Sequence, residues 1–322
     1  MRTRGHDLRS QHQLALSFAS ELCIESNISV RNPLYNLSVF KFGYATAQVI
    51  PRPIAQRIAD GFAWWSLRKV PELKGLLRNN LGIATGQNGE ALDTLVRENV
   101  RTFSRMLADY FLCAGDRCSR ARELVAEWEG LEHIDEARQR GKGTILITGH
   151  LGHWELGGLL LALSDVPLTV VTLPEPTPEL MRWREAARRR LGINTIAVGP
   201  GNDFSFVEML RVLRGNGCLA MLVDRPYSGS GLAVQQFGHA TQFSTAAAML
   251  AHHTGASVVP AFVLRRPDTR YKAMAAAPIP MDEGPLRETL QPNVQRIADL
   301  FASLIRQHPE QWFNYVPLFS AS

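Results

Sequence analysis

The sequence predicts an α/β fold: a mostly parallel central sheet flanked by helices and preceded by a helical N-terminal region. Three observations carry this. From about residue 128 onward, short apolar runs alternate with segments of helix length, the pattern of βαβ units. Before that point the stretches are helix-periodic and punctuated by proline. The chain is 322 residues long and 45% hydrophobic, enough for a large buried core.

Residues 1–33 read as a polar arm. Arg2, Arg4 and Arg9 precede a brief apolar run that Glu21 ends, too short and polar for a signal peptide. Residues 34–127 form the helical region. Pro33, Pro51 and Pro53 set off two short helices. The second, from Ile54 to Lys69, places Ile54, Ile58, Phe62 and Trp65 at spacings of three and four, an amphipathic stripe. Trp64, Trp65, Arg68 and Lys69 beside it suit an interfacial membrane anchor, and a face packed on the protein core suits the same stripe equally. A long helix is expected from about Glu90 to Leu112, with Leu92, Val96, Val100, Phe103 and Met106 on its apolar side. No window of about 18 apolar residues exists for a spanning helix.

Residues 128–322 form the α/β core. Its strands are expected at Thr144–Thr148, Leu168–Thr172, Asn194–Val198, Cys218–Val223 and Ser257–Val263. Helices fall between them near 154–164, 178–191, 203–215 and 243–254, and a last one runs from Leu286 to Gln307. The net charge of +5 fits an anionic membrane surface, an acidic carrier or ordinary surface charge. Arg182, Arg184, Arg188, Arg189 and Arg190 cluster in one helix. Cys113 and Cys118 make a lone C-x4-C pair. A zinc site needs about four ligands, so free thiols are the expectation.

The chemistry-bearing stretch is Thr148-Gly-His-Leu-Gly-His-Trp-Glu155. It follows a strand directly and leads into a helix, where sites form in open α/β sheets. On one continuous helix His150 and Glu155 would point about 140° apart. They meet only if the histidine lies in the turn. A carboxylate on one ring nitrogen would then leave the other free to take a proton from a hydroxyl. A local ion pair or helix cap accounts for the same residues. His150, His153 and Glu155 match no common metal-ligand spacing. A nucleophile elbow, a P-loop and a dinucleotide-binding glycine pattern are all missing.

Thr148-Gly-His-Leu-Gly-His-Trp-Glu-Leu156 resembles the H-x4-D/E block of the lysophospholipid acyltransferase superfamily. More narrowly it is similar to the lipid A biosynthesis acyltransferases (lauroyl and myristoyl transferases), among which phosphatidylinositol mannoside acyltransferases are counted. His153 stands where that family usually has Asn. Further blocks follow in register: Arg78-Asn-Asn-Leu81, Arg188-Arg-Arg-Leu-Gly192, Leu222-Val-Asp-Arg225, Phe237-Gly238 with Leu250 to Pro260, and His308-Pro-Glu-Gln-Trp312. The family's usual spanning helix is not evident.

The resemblance implies a glycerolipid acyltransferase-like fold and transfer of a fatty acyl group from an acyl thioester, on acyl carrier protein (acyl-ACP) or coenzyme A (acyl-CoA), to a hydroxyl of a membrane lipid or glycolipid. It implies His150 as general base with Glu155 as its partner, and Arg188, Asp224, Arg225 and His153 lining the substrate site. It implies neither metal nor cofactor, an anionic membrane surface rather than nucleic acid as partner, and a peripheral place on the cytoplasmic face of the bacterial inner membrane. It puts Pro260 at the end of a buried strand's ladder. Thioester hydrolysis, or lipid binding with a decayed site, are the alternatives.

Overall fold

The computed structural model describes residues 37–319, apart from 48, 114–118, 165, 176, 200–203 and 227–230. The expected arm 1–33 and Cys118 lie outside the described residues.

The N-terminal region is helical: α1 (Leu37–Ala47), α2 (Arg52–Lys69), α3 (Pro71–Thr85) and α4 (Gly89–Cys113). Pro53 lies in the first turn of α2, where a missing N–H costs no helical hydrogen bond. A short α5 (Arg120–Leu124) leads into β1 (Val125–Glu129) and α6 (Glu132–Gln139). The core continues through β2 (Thr144–Thr148), α7 (Trp154–Ala162), β3 (Leu168–Thr172), α8 (Pro178–Arg190), β4 (Asn194–Ala197), α9 (Ser205–Arg214) and β5 (Cys218–Leu222). The hairpin β6 (Gly231–Gln236) and β7 (His239–Ser244) interrupts the alternation. It gives way to α10 (Ala246–Thr254), β8 (Ser257–Arg265), β9 (Tyr271–Ala275) and α11 (Leu286–Gln307).

Seven strands form one sheet in the order β1-β9-β8-β2-β5-β3-β4. Every pairing is parallel except β8 with β9. Central β2 is buried almost throughout, as expected for a parallel strand covered on both faces. The expected strands and helices of the core are present within a few residues. Sequence periodicity did not mark β1, β9 or the hairpin, which lack continuous apolar runs. Phe237-Gly238 is the hairpin's turn, with both residues at positive φ, the arrangement a two-residue loop favours. Pro260 ends the β2–β8 ladder as expected, although the strand itself continues against β9. It sits opposite Ile147, its carbonyl accepts from Ala276 N–H, and β8 runs on to Arg265.

Helix α2 lies on α4 through small residues. Ala59, Ala63 and Ser66 are its buried positions. Asp60 binds Arg101 and Arg105 of α4, and Arg52 and Gln56 bind the fully buried Asp109. The apolar stripe faces the other way. Ile54, Ile58, Phe62, Trp64 and Trp65 are all exposed, Trp64 at 61%.

Candidate active site

Strands β2 and β5 pair in parallel with Thr148 opposite Leu222. Two residues past each strand end stand His150 and Asp224, so equal steps bring them side by side. His150 Nδ1 lies 2.8 Å from Asp224 Oδ1, and the His150 backbone N–H donates to Asp224 Oδ2 at 2.9 Å. This two-point grip orients the imidazole and makes Nδ1 the protonated nitrogen, leaving Nε2 as acceptor. Gly149 makes the approach possible. A Cβ there would stand 2.4 Å from a Phe301 ring carbon and 2.9 Å from Asp224 Cγ.

Electrostatics favour a neutral base beside an ionised acid. Burial lowers the pKa of His150 and the Arg225 cation lowers it further, while Asp224 opposes both. Burial pushes Asp224 up, but the His150 contacts and Arg225 hold it below the usual carboxylate value. The His150 side chain keeps 21% of its surface exposed, and Trp154 meets its ring edge-on at 5.4 Å.

Glu155 is elsewhere. It lies in the first turn of α7 and faces α8: Arg184 Nη2 donates to its Oε1 at 2.9 Å and Arg188 Nη2 at 3.4 Å. Arg184 also reaches Glu175 at 2.6 Å. Burial raises the Glu155 pKa, and the two arginines more than offset it. No hydrogen bond joins Glu155 to His150 among the described residues. The expected contact is made by Asp224 instead, because two guanidinium groups at the foot of α8 attract the glutamate and the sheet register delivers the aspartate. Arg188 Nη1 is buried without a hydrogen-bond partner.

His153, expected to line the substrate site, is 1% exposed. It is the N-cap of α7, its Nδ1 accepting from Leu156 N–H at 3.3 Å. Burial pushes its pKa down to about 4. Asn, the residue usual at this place in the resembling family, is among the best N-caps, so both residue types meet the same local need. The preceding Gly152 has φ +69, and a Cβ on it would come within 2.3 Å of Val263 O.

A C-terminal strap after α11 completes the turn. Phe313 N–H donates to His150 O at 2.6 Å, Gly152 N–H donates to Gln311 O at 2.9 Å, and Leu151 bridges to Trp312. Two buried asparagines of the helical region hold the strap: Asn80 donates to the carbonyls of Asn314 and Val316, Asn99 to those of Trp312 and Pro309. Arg225 Nε donates to Asn314 Oδ1 at 2.6 Å. The periodicity of α4 could not reveal Asn99. The Asn80 and Trp312 blocks were visible as motifs, but not as partners of each other.

The family model for the bacterial lipid A biosynthesis acyltransferases matches residues 25–320. The chain belongs to this family. It is therefore an acyltransferase, with the helical region, the histidine turn and the terminal strap all inside the matched span. Among curated relatives, a phosphatidylinositol mannoside acyltransferase of Mycolicibacterium smegmatis is 26% identical over 297 residues, covering 91% of this chain and 95% of that protein. One of Mycobacterium tuberculosis is 26% identical over 283 residues, covering 87% of each chain. The lipid A biosynthesis palmitoleoyltransferase of Escherichia coli is 22% identical over 241 residues, covering 74% of this chain and 76% of that protein.

Proposed function

We propose that this acyltransferase moves a fatty acyl group from an acyl thioester, carried on acyl carrier protein or coenzyme A, to a hydroxyl of a membrane glycolipid. The observation that carries the reading is the His150–Asp224 pair, oriented by two hydrogen bonds at adjoining strand ends. His150 Nε2 takes the proton of the acceptor hydroxyl as its oxygen attacks the thioester carbonyl. Asp224 holds the tautomer and stabilises the imidazolium, as the acid does in a hydrolase triad. The tetrahedral oxyanion collapses, the C–S bond breaks, and the imidazolium returns its proton to the leaving thiolate. No metal is needed for any of these steps.

In this reading Glu155 serves the reaction through Arg184 and Arg188 rather than through the imidazole. It holds two guanidinium groups at the edge of the site. Arg188 keeps an unpartnered Nη1, suited to a phosphate of the acceptor headgroup or the donor's pantetheine arm. The match to a phosphatidylinositol mannoside acyltransferase, which spans 91% of this chain and 95% of that protein, makes a mannosylated or otherwise glycosylated phospholipid the first acceptor to try.

The outward stripe of α2 is the proposed membrane contact. Ile54, Ile58, Phe62 and Trp65 would enter the headgroup boundary, with exposed Arg57, Arg68 and Lys69 meeting anionic lipid. Arg68 stacks over Trp64 at 4.6 Å, a pairing of ring and cation found at such interfaces. Among the described residues no helix is long and apolar enough to cross a membrane.

The test is a transfer assay with palmitoyl-CoA and vesicles containing mannosylated phosphatidylinositol, followed by mass spectrometry of the lipids. A gain of one palmitoyl group on the mannolipid, lost in His150→Ala, is expected. Free palmitate as the main product at saturating acceptor would replace the transferase reading with hydrolysis. Full transfer by His150→Ala would remove the base.

A further inference from the structure

The strap that closes over the histidine turn does more than cover it. Asn314 is 1% exposed and is fixed from several directions. Its carbonyl is held by Asn80, and its neighbours Phe313 and Trp312 are bound to His150 O and Asn99. Its side-chain oxygen is spent on one partner, the Arg225 guanidinium, at 2.6 Å. Arg225 directly follows Asp224, the residue that grips His150. An arginine just past a strand end thus has its guanidinium bound by the strap, next to the reacting pair.

We infer that Asn314 is a positioning residue for acyl transfer: it holds the Arg225 guanidinium beside the His150–Asp224 pair, where the cation faces the oxyanion formed on the thioester carbonyl. The inference rests on the proposed His150 mechanism. A preorganised cation acts at the moment negative charge develops and needs no rearrangement then. A loose one loses that advantage, because small displacements are costly in a preorganised site.

A second role follows from the same placement. Among the described residues, the charged groups acting on His150 are Asp224 and Arg225. The other described elements around it present uncharged groups: Trp154 from α7, Phe313 from the strap, Phe301 beside Gly149. Glu155 is turned to Arg184 and Arg188. Arg225 is therefore the one cation among them disfavouring a protonated His150. Holding it in place keeps the base free of its proton at lower pH.

The experiment measures pH profiles of kcat and kcat/KM for the full chain, with palmitoyl-CoA and vesicles of mannosylated phosphatidylinositol. Asn314→Ala is expected to lower kcat by about tenfold to a hundredfold with little change in KM, and to move the acid limb of the profile to higher pH. Asn314→Asp keeps the acceptor oxygen and should recover most of kcat. In an Arg225→Ala background, Asn314→Ala should add no further loss. Losses that multiply, an unmoved acid limb, or a normal kcat per folded molecule by thermal melting would each overturn the positioning role. His150→Ala run alongside separates the two claims. If it stays active, the underlying mechanism fails. If it is dead while Asn314→Ala behaves normally, only this inference fails.

Discussion

Two carboxylates, the buried Asp224 and the half-buried Glu155, hold different partners. Asp224 holds one imidazole, a group that can lose and regain a proton near neutral pH. Glu155 holds two guanidinium groups, which keep their charge at any working pH. The contrast teaches that a carboxylate's role is set by what it faces. In the proposed mechanism the Asp224 pair carries the proton. In the same mechanism the Glu155 cluster fixes geometry and is suited to bind an anion.

The largest effect that would sharpen this contrast is expected at Asp224. Asp224→Asn should reduce kcat by about a thousandfold, since an amide favours the wrong imidazole tautomer, with the fold retained by circular dichroism. Glu155→Gln should cost less in kcat, about tenfold or under, and more in KM and stability, because it leaves buried cations short of a counter-charge. Equal kcat losses in the two variants, with matching shifts of the acid limb, would put Glu155 back on the imidazole.

The next effect concerns pH and the cap between them. His153, with a pKa pushed to about 4 in the fold, takes up its proton in the unfolded chain first as pH falls below about 6.5. Its contribution therefore destabilises the fold as pH drops from about 6.5 toward 4. His153→Asn keeps a cap and should flatten that part of the stability curve, read by denaturant melts at several pH values. An unchanged slope would assign the acid loss to other groups. The smallest effect is at the outer face of α2. Trp64→Ser with Trp65→Ser should weaken partition onto anionic vesicles roughly tenfold while leaving the melting temperature nearly unaltered. Unaltered partition would move the membrane contact elsewhere.

The sequence made much of this legible, and its failures have a common cause. The strands Thr144–Thr148 and Cys218–Leu222 were visible as apolar runs, and His150 was visible as the residue in the turn after one of them. Asp224 was visible only as a strand-end acid, because the adjacency of β2 and β5 is a property of the sheet order and leaves no local mark. The close spacing of His150 and Glu155 suggested a pair. Arg184 and Arg188, far along the chain, decided otherwise. The stripe on α2 was read correctly as amphipathic. Which side it faced depended on Ala59, Ala63 and Ser66 finding α4, and periodicity cannot distinguish a face turned to protein from one turned outward. Asn80 and Asn99 are polar residues buried for the backbone of a distant strap, which no hydrophobic pattern reports.

The ladder between β2 and β5 has a consequence for how such an enzyme can change. His150 and Asp224 are separated by three helices (α7, α8 and α9) and three strands (β3, β4 and β5), yet their distance depends on none of these lengths. It depends on Thr148 lying opposite Leu222. Segments between them can lengthen or shorten without moving the pair, provided the two strands keep step. A slip of one residue would displace Asp224 by about 3.3 Å and turn alternate side chains to the opposite face. Under the proposed mechanism turnover is thus a direct gauge of strand alignment, and variants in the core of the sheet that leave the fold intact could be sorted by rate into those that hold step and those that do not.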